Sequence, residues 1–359
     1  LPICSFLFLT SRFVPPLSAP LALELEGLPA GVTARATSES TGGGSMIVLF
    51  EAADDAPLGV SGATALAHQP GKGDEGAGGG LREVLTLVEG PNNTVIEGHL
   101  QTRLPVAVIE SVPFDVIAEP APAPLVRGGE QLVRVRIERD AGFTAPVTVG
   151  VAVLPGGVRT EGSKRLEGDT LEATFRLEAA GDAAVGESSW IAFAESAIEG
   201  AGVRIATAPA SVVVAEPVLA LEAKRGIVER ESEGTLAVSL TRRDGAPEGD
   251  VEVRLVGLPH DVASEVMTLE GGAEDLVFPL RVGPKAPTGN HRGLALKARV
   301  AAGEGEIVQT LGGIELRVQR KAAPPKAAKP VVASASRLEK LRAEHAGLRG
   351  ITRQKRTVL

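Results

Sequence analysis

The chain has 359 residues, 43% hydrophobic but only 3% aromatic, with one Trp, no Tyr and a net charge of −8 at pH 7. That length exceeds one ordinary domain, and the single cysteine, Cys4, excludes an intramolecular disulfide framework and a cysteine-rich metal site. The charge is uneven: from Lys321 to Leu359 ten Lys or Arg face only Glu339 and Glu344, a net of +8, so residues 1–320 carry −16, which argues against a nucleic-acid partner for the body.

The opening Leu1-Pro-Ile-Cys-Ser-Phe-Leu-Phe-Leu9 is apolar like the middle of a signal peptide, but lacks its basic start and small-residue cleavage pattern. A start at Leu1 rather than Met is expected of a piece of a larger polypeptide. No apolar run reaches the roughly 18 residues of a membrane span. The 43 Gly and 25 Pro punctuate apolar runs of strand length, so an all-β chain with cores of Val, Leu, Ile and Ala is expected.

A repeat appears next. An alternating strand, a Leu-Pro turn and a second strand recur as LALELEGLPAGVTA from Leu21, VTVGVAVLPGGVRT from Val147 and VEVRLVGLPHDVAS from Val251, with the prolines at Pro29, Pro155 and Pro259. A second landmark, an Ala-Pro-x-Gly corner or its variant, ends at Gly59, Gly186 and Gly289, which lie 30, 31 and 30 residues beyond those prolines. Between the landmarks, Ile47-Val-Leu-Phe50, Leu171-Glu-Ala-Thr-Phe-Arg-Leu177 and Asp275-Leu-Val-Phe-Pro-Leu-Arg-Val282 alternate with the period of half-buried strands.

Phe114-Asp-Val-Ile-Ala-Glu-Pro120 and Ser211-Val-Val-Val-Ala-Glu-Pro217 read as matching final strands, with Ala-Glu-Pro as a short, stiff junction that stacks neighbours end to end. About thirty extra residues follow Gly59 in the first copy, and Gly71-Lys-Gly-Asp-Glu-Gly-Ala-Gly-Gly-Gly80 is expected to be the mobile tip of that insertion. After Arg320 an Ala/Pro/Lys linker leads to Ser336-Arg-Leu-Glu339, a capping box, with Leu338, Leu341, His345 and Leu348 at helical spacing.

These marks predict three tandem immunoglobulin-like β-sandwich domains with a disordered or partly helical C-terminal tail. The expected divisions are 1–119 (complete or truncated, with the Gly-rich insertion), 120–217, 218–320, and a basic linker and short helix over 321–359.

Each chemical candidate has a plainer reading. Gly71-Lys-Gly-Asp-Glu-Gly76 matches a dinucleotide fingerprint in letters, but no helical period follows it. His68, His99, His260, His291 and His345 are scattered without ligand spacing. Asp54, Asp55 and Asp182 at the corners are carboxylates of the kind calcium takes, but the third copy has Lys285 there, and solvated loop acids are the expectation. Asn92-Asn93-Thr94 is formally a glycosylation sequon and more simply a polar turn. Trp190 is expected in a core rather than on a sugar-binding platform. No nucleophile elbow is present, so no catalytic, cofactor-binding or metal residue is assigned.

The Leu-Pro turns, Ala-Pro-x-Gly corners and Ala-Glu-Pro junctions, over roughly residues 12–345, resemble the Ig-like repeats of large exported proteins of planctomycete-type bacteria, which often carry pre-peptidase C-terminal domains. More distantly they are similar to the NEW3-type Ig-like domain of some secreted glycosidases. The resemblance implies a fold and an extracellular, cell-surface or periplasmic location, and transfers no active-site residue. The expected function is that of a non-catalytic spacer, stalk or interaction surface facing a protein or a surface polymer. The rival is the accessory region of a secreted hydrolase whose catalytic domain lies outside this chain.

Overall fold

A computed structural model describes residues 4–10, 22–36, 45–69, 78–223, 225–321 and 339–345. The chain is nearly all β and builds three Ig-like sandwiches in tandem.

The second sandwich displays the pattern in full. One sheet runs Phe114–Ala118, Gly129–Arg139, Glu172–Ala179, Val158–Thr160. The other runs Leu125–Val126, Ala210–Ala215, Gly186–Ile198, Val147–Val153, Lys164–Leu166, with Ala201–Ala206 also on the long strand Gly186–Ile198. The first strand is thus split between the sheets, and its second part lies parallel to the closing strand.

The third sandwich repeats this order. Leu219–Ala223, Ser232–Arg242, Asp275–Val282 and Val262–Ser264 face Gly226–Glu229, Gly305–Gln319, Gly289–Ala302, Val251–Val256 and Met267–Leu269. In the first sandwich, Cys4–Thr10, Ser45–Ala52 and Val32–Ala36 make one sheet, and Ala22–Glu26, Gly59–His68 and Leu104–Val108 the other. Among the described residues it has no counterpart of Phe114–Ala118.

Alternation makes the cores. Asp275–Val282 buries every second residue, and Val48, Phe175 and Phe278, each 0% exposed, hold the same place eleven residues before the corner glycines Gly59, Gly186 and Gly289. With so few aromatics, aliphatic side chains fill the rest, and Trp190 is buried at 0% exposure in the second core.

The two landmarks touch in every copy. Each Leu-Pro turn closes with a hydrogen bond from Val32 N to Pro29 O, Val158 N to Pro155 O, or Val262 N to Pro259 O. The turn's third residue, Gly31, Gly157 or Asp261, has positive φ and accepts a bond from Ala53 N, Ala180 N or Gly283 N at the start of the corner. This contact explains the near-constant spacing between the landmarks.

Two expectations need correction, and a third falls mostly outside the described residues. Phe114–Ala118 does not close the first sandwich: it pairs with Gly129–Arg139, and Phe114 and Val116 sit in the second core. Ala-Glu-Pro therefore marks an opening strand in one place and a closing strand in the other. Neighbours are not simply stacked end to end either, since Leu49 of the first sandwich packs against Ile191 and Ala206 of the second. Trp190 and Ala192 flank Ile191 on the strand and point into the second core, so the contact uses the outer face of that sheet. Lastly, residues 71–77 of the glycine-rich tip lie outside the described residues, while Gly78–Gly80 form a short strand against Leu66–His68. Glu83–Gly90 and Thr94–Gln101 form a separate hairpin.

Candidate functional site

Among the described residues, the candidate histidines and corner carboxylates do not gather into one cluster. His68 Nε2 lies 3.7 Å from Glu24, His291 Nε2 is 2.9 Å from Pro287 O, and His99, His260 and His345 are exposed on separate elements. Asp55 and Asp182 are exposed at their corners, whereas at the third corner the Lys285 backbone N–H donates to the Asp261 carboxylate at 2.7 Å. Among the described residues no three His, Cys, Asp or Glu are grouped to hold a metal ion. Gly71–Gly76 lies outside the described residues. Pro91–Asn93 is the turn of the projecting hairpin, closed by Thr94 Oγ1 donating to Pro91 O, with Asn92 at φ 58°. Glu161 is held below the usual carboxylate range by Lys164, 2.7 Å away at the surface.

Among the described residues, the buried Gln309 and the half-buried Lys297–Glu130 pair lie where the second and third sandwiches meet. The start of Gly129–Arg139 pairs with the middle of Gly305–Gln319, Gly129 opposite Gln309 and Glu130 opposite Val308, so one sheet crosses the junction. Thr310 N donates to Gly128 O at 3.0 Å. A Cβ at Gly129 would lie 2.4 Å from Val308 O, so only glycine fits this approach.

Gln309, 2% exposed, fastens the connecting segment. Its Oε1 accepts from Val218 N at 3.1 Å and Leu219 N at 3.0 Å, and its Nε2 donates to Leu219 O at 2.8 Å. Three backbone groups that leave one sandwich and enter the next are thereby satisfied away from water. Lys297 Nζ reaches Glu130 at 2.6 Å, with the side chains 14% and 17% exposed. Ala123 and Val126, which precede the junction strand, are buried in the third core rather than the second.

Beside the junction lies a cleft of about 850 Å³, walled by Pro122, Leu132, Arg134, Arg299 and Glu306 among others. Its charges pair along its walls, Arg134 with Glu119 at 3.8 Å on the second sandwich and Arg299 with Glu306 at 3.9 Å on the third.

Sequence reasoning missed Gln309, and it missed a set of arginines that hold backbone carbonyls within the second and third sandwiches. Arg127 Nε donates to Ala183 O at 2.7 Å and Arg230 Nη2 to Ala286 O at 2.6 Å, both at the corner landmark. Arg139 holds Ala145 O and Leu166 O, and Arg242 holds Pro247 O and Gly249 O. The detectable signal was positional: both copies carry Arg at the end of the second strand and just before its start.

No family model and no curated protein matches the chain. Among solved structures it is similar to the fibronectin(III)-like modules of Clostridium thermocellum CbhA, at 14% identity over 58% of this chain and 98% of that one, TM-score 0.23. It is also similar to the D0-D1 domain of intimin, at 10% identity over 57% and 95%, TM-score 0.20. A third similarity is to Salmonella alpha-2-macroglobulin, at 13% identity over 86% and 29%, TM-score 0.26. Scores this low carry no functional argument, and the sandwich assignment rests on the strand order above. The fold thus defines a tandem Ig-like β-sandwich protein.

Proposed function

We propose that this chain is a non-catalytic spacer region of an exported bacterial protein, holding what flanks it at a set distance and presenting a surface to a protein or a surface polymer. The observation that supports this reading best is the sheet crossing the junction at Gly129–Gln309, beside which the Lys297–Glu130 pair also joins the third sandwich to the second. The domain division we propose follows the cores: the first sandwich ends after Leu104–Val108, the second begins with Phe114–Ala118, the third begins after Pro217, and the tail follows Arg320. Export is part of the proposal and rests on the resemblance of the turn landmarks.

Two measurements test it. Small-angle scattering of residues 112–320 is expected to fit one rigid arrangement of two sandwiches; a broad distribution of interdomain angles would remove the spacer reading. Purified residues 1–359 are expected to show no turnover of ester, peptide or glycoside panels with or without calcium or zinc. Turnover abolished by one polar loop substitution would overturn the non-catalytic reading.

A further inference from the structure

The second and third sandwiches each fill one seat with their split first strand. In the second, Leu125–Val126 lies parallel to the closing strand, with Leu125 beside Val214, and Leu125 is 0% exposed in the core that also holds Leu177. Two residues on, Arg127 donates its backbone N–H to Ala215 O at 3.0 Å and its Nε to Ala183 O at 2.7 Å. The third sandwich places Val228 beside Val318, and Arg230 donates to Ala286 O at 2.6 Å. The shared pattern is an aliphatic residue, any residue, then arginine.

The first sandwich has this seat without the strand. Cys4–Thr10 corresponds to Gly129–Arg139, because Ser5 pairs with Phe50 as Gln131 pairs with Leu177, so its sheet begins at the second strand. Among the described residues nothing pairs with the outer edge of Leu104–Val108. A cavity of about 160 Å³ opens beside that edge, walled by Val32, Phe50, Ala52, Val106, Val108 and, from the second sandwich, Ile205 among others. Counted from the corner glycines and their pairing, Phe50 and Val108 stand at the places of Leu177 and Val214, and Ala56 at that of Ala183. The wall from the second sandwich has its parallel too, since Val126 is buried in the core of the sandwich that follows its own.

We infer that this seat takes one extended strand of another polypeptide, parallel to Leu104–Val108 and carrying the aliphatic-x-arginine pattern. The aliphatic side chain fills the cavity and the arginine holds Ala56 O; the other two sandwiches show what covers the seat. Supply from another polypeptide follows from Pro2, which the same register aligns with Gly128 and Glu231, at φ 70° and 58°. Proline is held near φ −65°, so the left-handed turn that leads from the split strand into its neighbour in the other copies cannot be made at Pro2. Backbone bonds along the open edge supply affinity, and the cavity and corner supply specificity. The inference gives the spacer reading a protein partner, and it can fail while the rigid junction tested by scattering stands.

Fluorescence anisotropy of a labelled peptide of residues 121–128, titrated with the full chain, tests this. Saturable one-to-one binding is expected, weakened at least about tenfold when the peptide carries Leu125→Asp, which would bury a carboxylate, or Arg127→Ala, which removes the bond to the corner. Ile109→Pro in the chain removes a backbone N–H from the open edge at the place of Ala215 and is expected to weaken binding as much, with circular dichroism unchanged. Should Ile109→Pro fail to fold, the two peptide changes carry the test. No binding up to the solubility of the peptide, or binding indifferent to any of these changes, would overturn the proposal. So would binding that appears only after residues 346–359 are removed, since this chain's own tail would then be the occupant, or a full-chain dimer that the peptide disperses, since a second copy would be.

Discussion

A side chain on Gly157 would place its Cβ 2.7 Å from the Cα of Ala183, so the Leu-Pro turn and the corner of the second sandwich press together with no room for a methyl group. Gly157 also has φ +77°. Gly157→Val is therefore expected to cost about 2–4 kcal/mol from left-handed backbone strain and overpacking. At the same place in the third sandwich Asp261 already adopts φ 61° and accepts from Lys285 N, so Asp261→Gly should change stability by only about 1 kcal/mol. Urea titration of both variants checks the contrast, and equal effects would count against it.

Gln309→Leu keeps the bulk of the side chain but leaves Val218 N, Leu219 N and Leu219 O without their partner in a buried place. Buried donors left unmet cost about 1–3 kcal/mol each, so a loss of about 2–4 kcal/mol is expected in chemical denaturation. A change below about 0.5 kcal/mol would mean that water reaches these groups.

Trp190 is the chain's only Trp and is 0% exposed in the second core. Its emission should be blue-shifted, resistant to iodide, and a report on the second sandwich alone. If the crossing sheet couples the two sandwiches, this signal and the far-ultraviolet circular dichroism of residues 112–320 will unfold together. Gln309→Leu should pull the two transitions apart.

The Lys297–Glu130 pair joins the third sandwich to the second at 2.6 Å with little solvent around it. Lys297→Met alone strands a carboxylate whose other ion-pair partner among the described residues is Arg176 at 3.9 Å, and a loss of about 1–3 kcal/mol is expected. K297M/E130L should recover much of it, because neither charge then needs hydration. A double-mutant cycle with no coupling would show that the pair is incidental.

The landmarks were legible because turns are local: Pro29, Pro155 and Pro259 announce them within a few residues, and alternation in Asp275–Val282 reports a buried face directly. Strand allegiance is not local. Ala-Glu-Pro reads the same after Phe114–Ala118 and after Ala210–Ala215, yet one strand opens a core and the other closes it, a difference set by pairing with Gly129–Arg139. Gln309 was invisible for a similar reason, since its partners lie 90 and 91 residues away and a single Gln in a strand carries no pattern. The hairpin Glu83–Gly90 with Thr94–Gln101 was not read from the sequence, because its pairing is irregular around Leu87 and Ile96 and breaks a simple alternation.

The split first strand has a mechanical consequence. Leu125–Val126 and Gly226–Glu229 lie parallel to the closing strands Val214–Ala215 and Leu316–Gln319. Tension applied between the ends of either sandwich therefore shears these short ladders, straining their hydrogen bonds simultaneously, instead of peeling them open one after another. The second sandwich has two residue pairs in this clamp and the third has four, so under a steady pull the second should yield first. Single-molecule extension of residues 112–320 would display that order as two rupture events of unequal force, with Trp190 exposed to quencher after the weaker one.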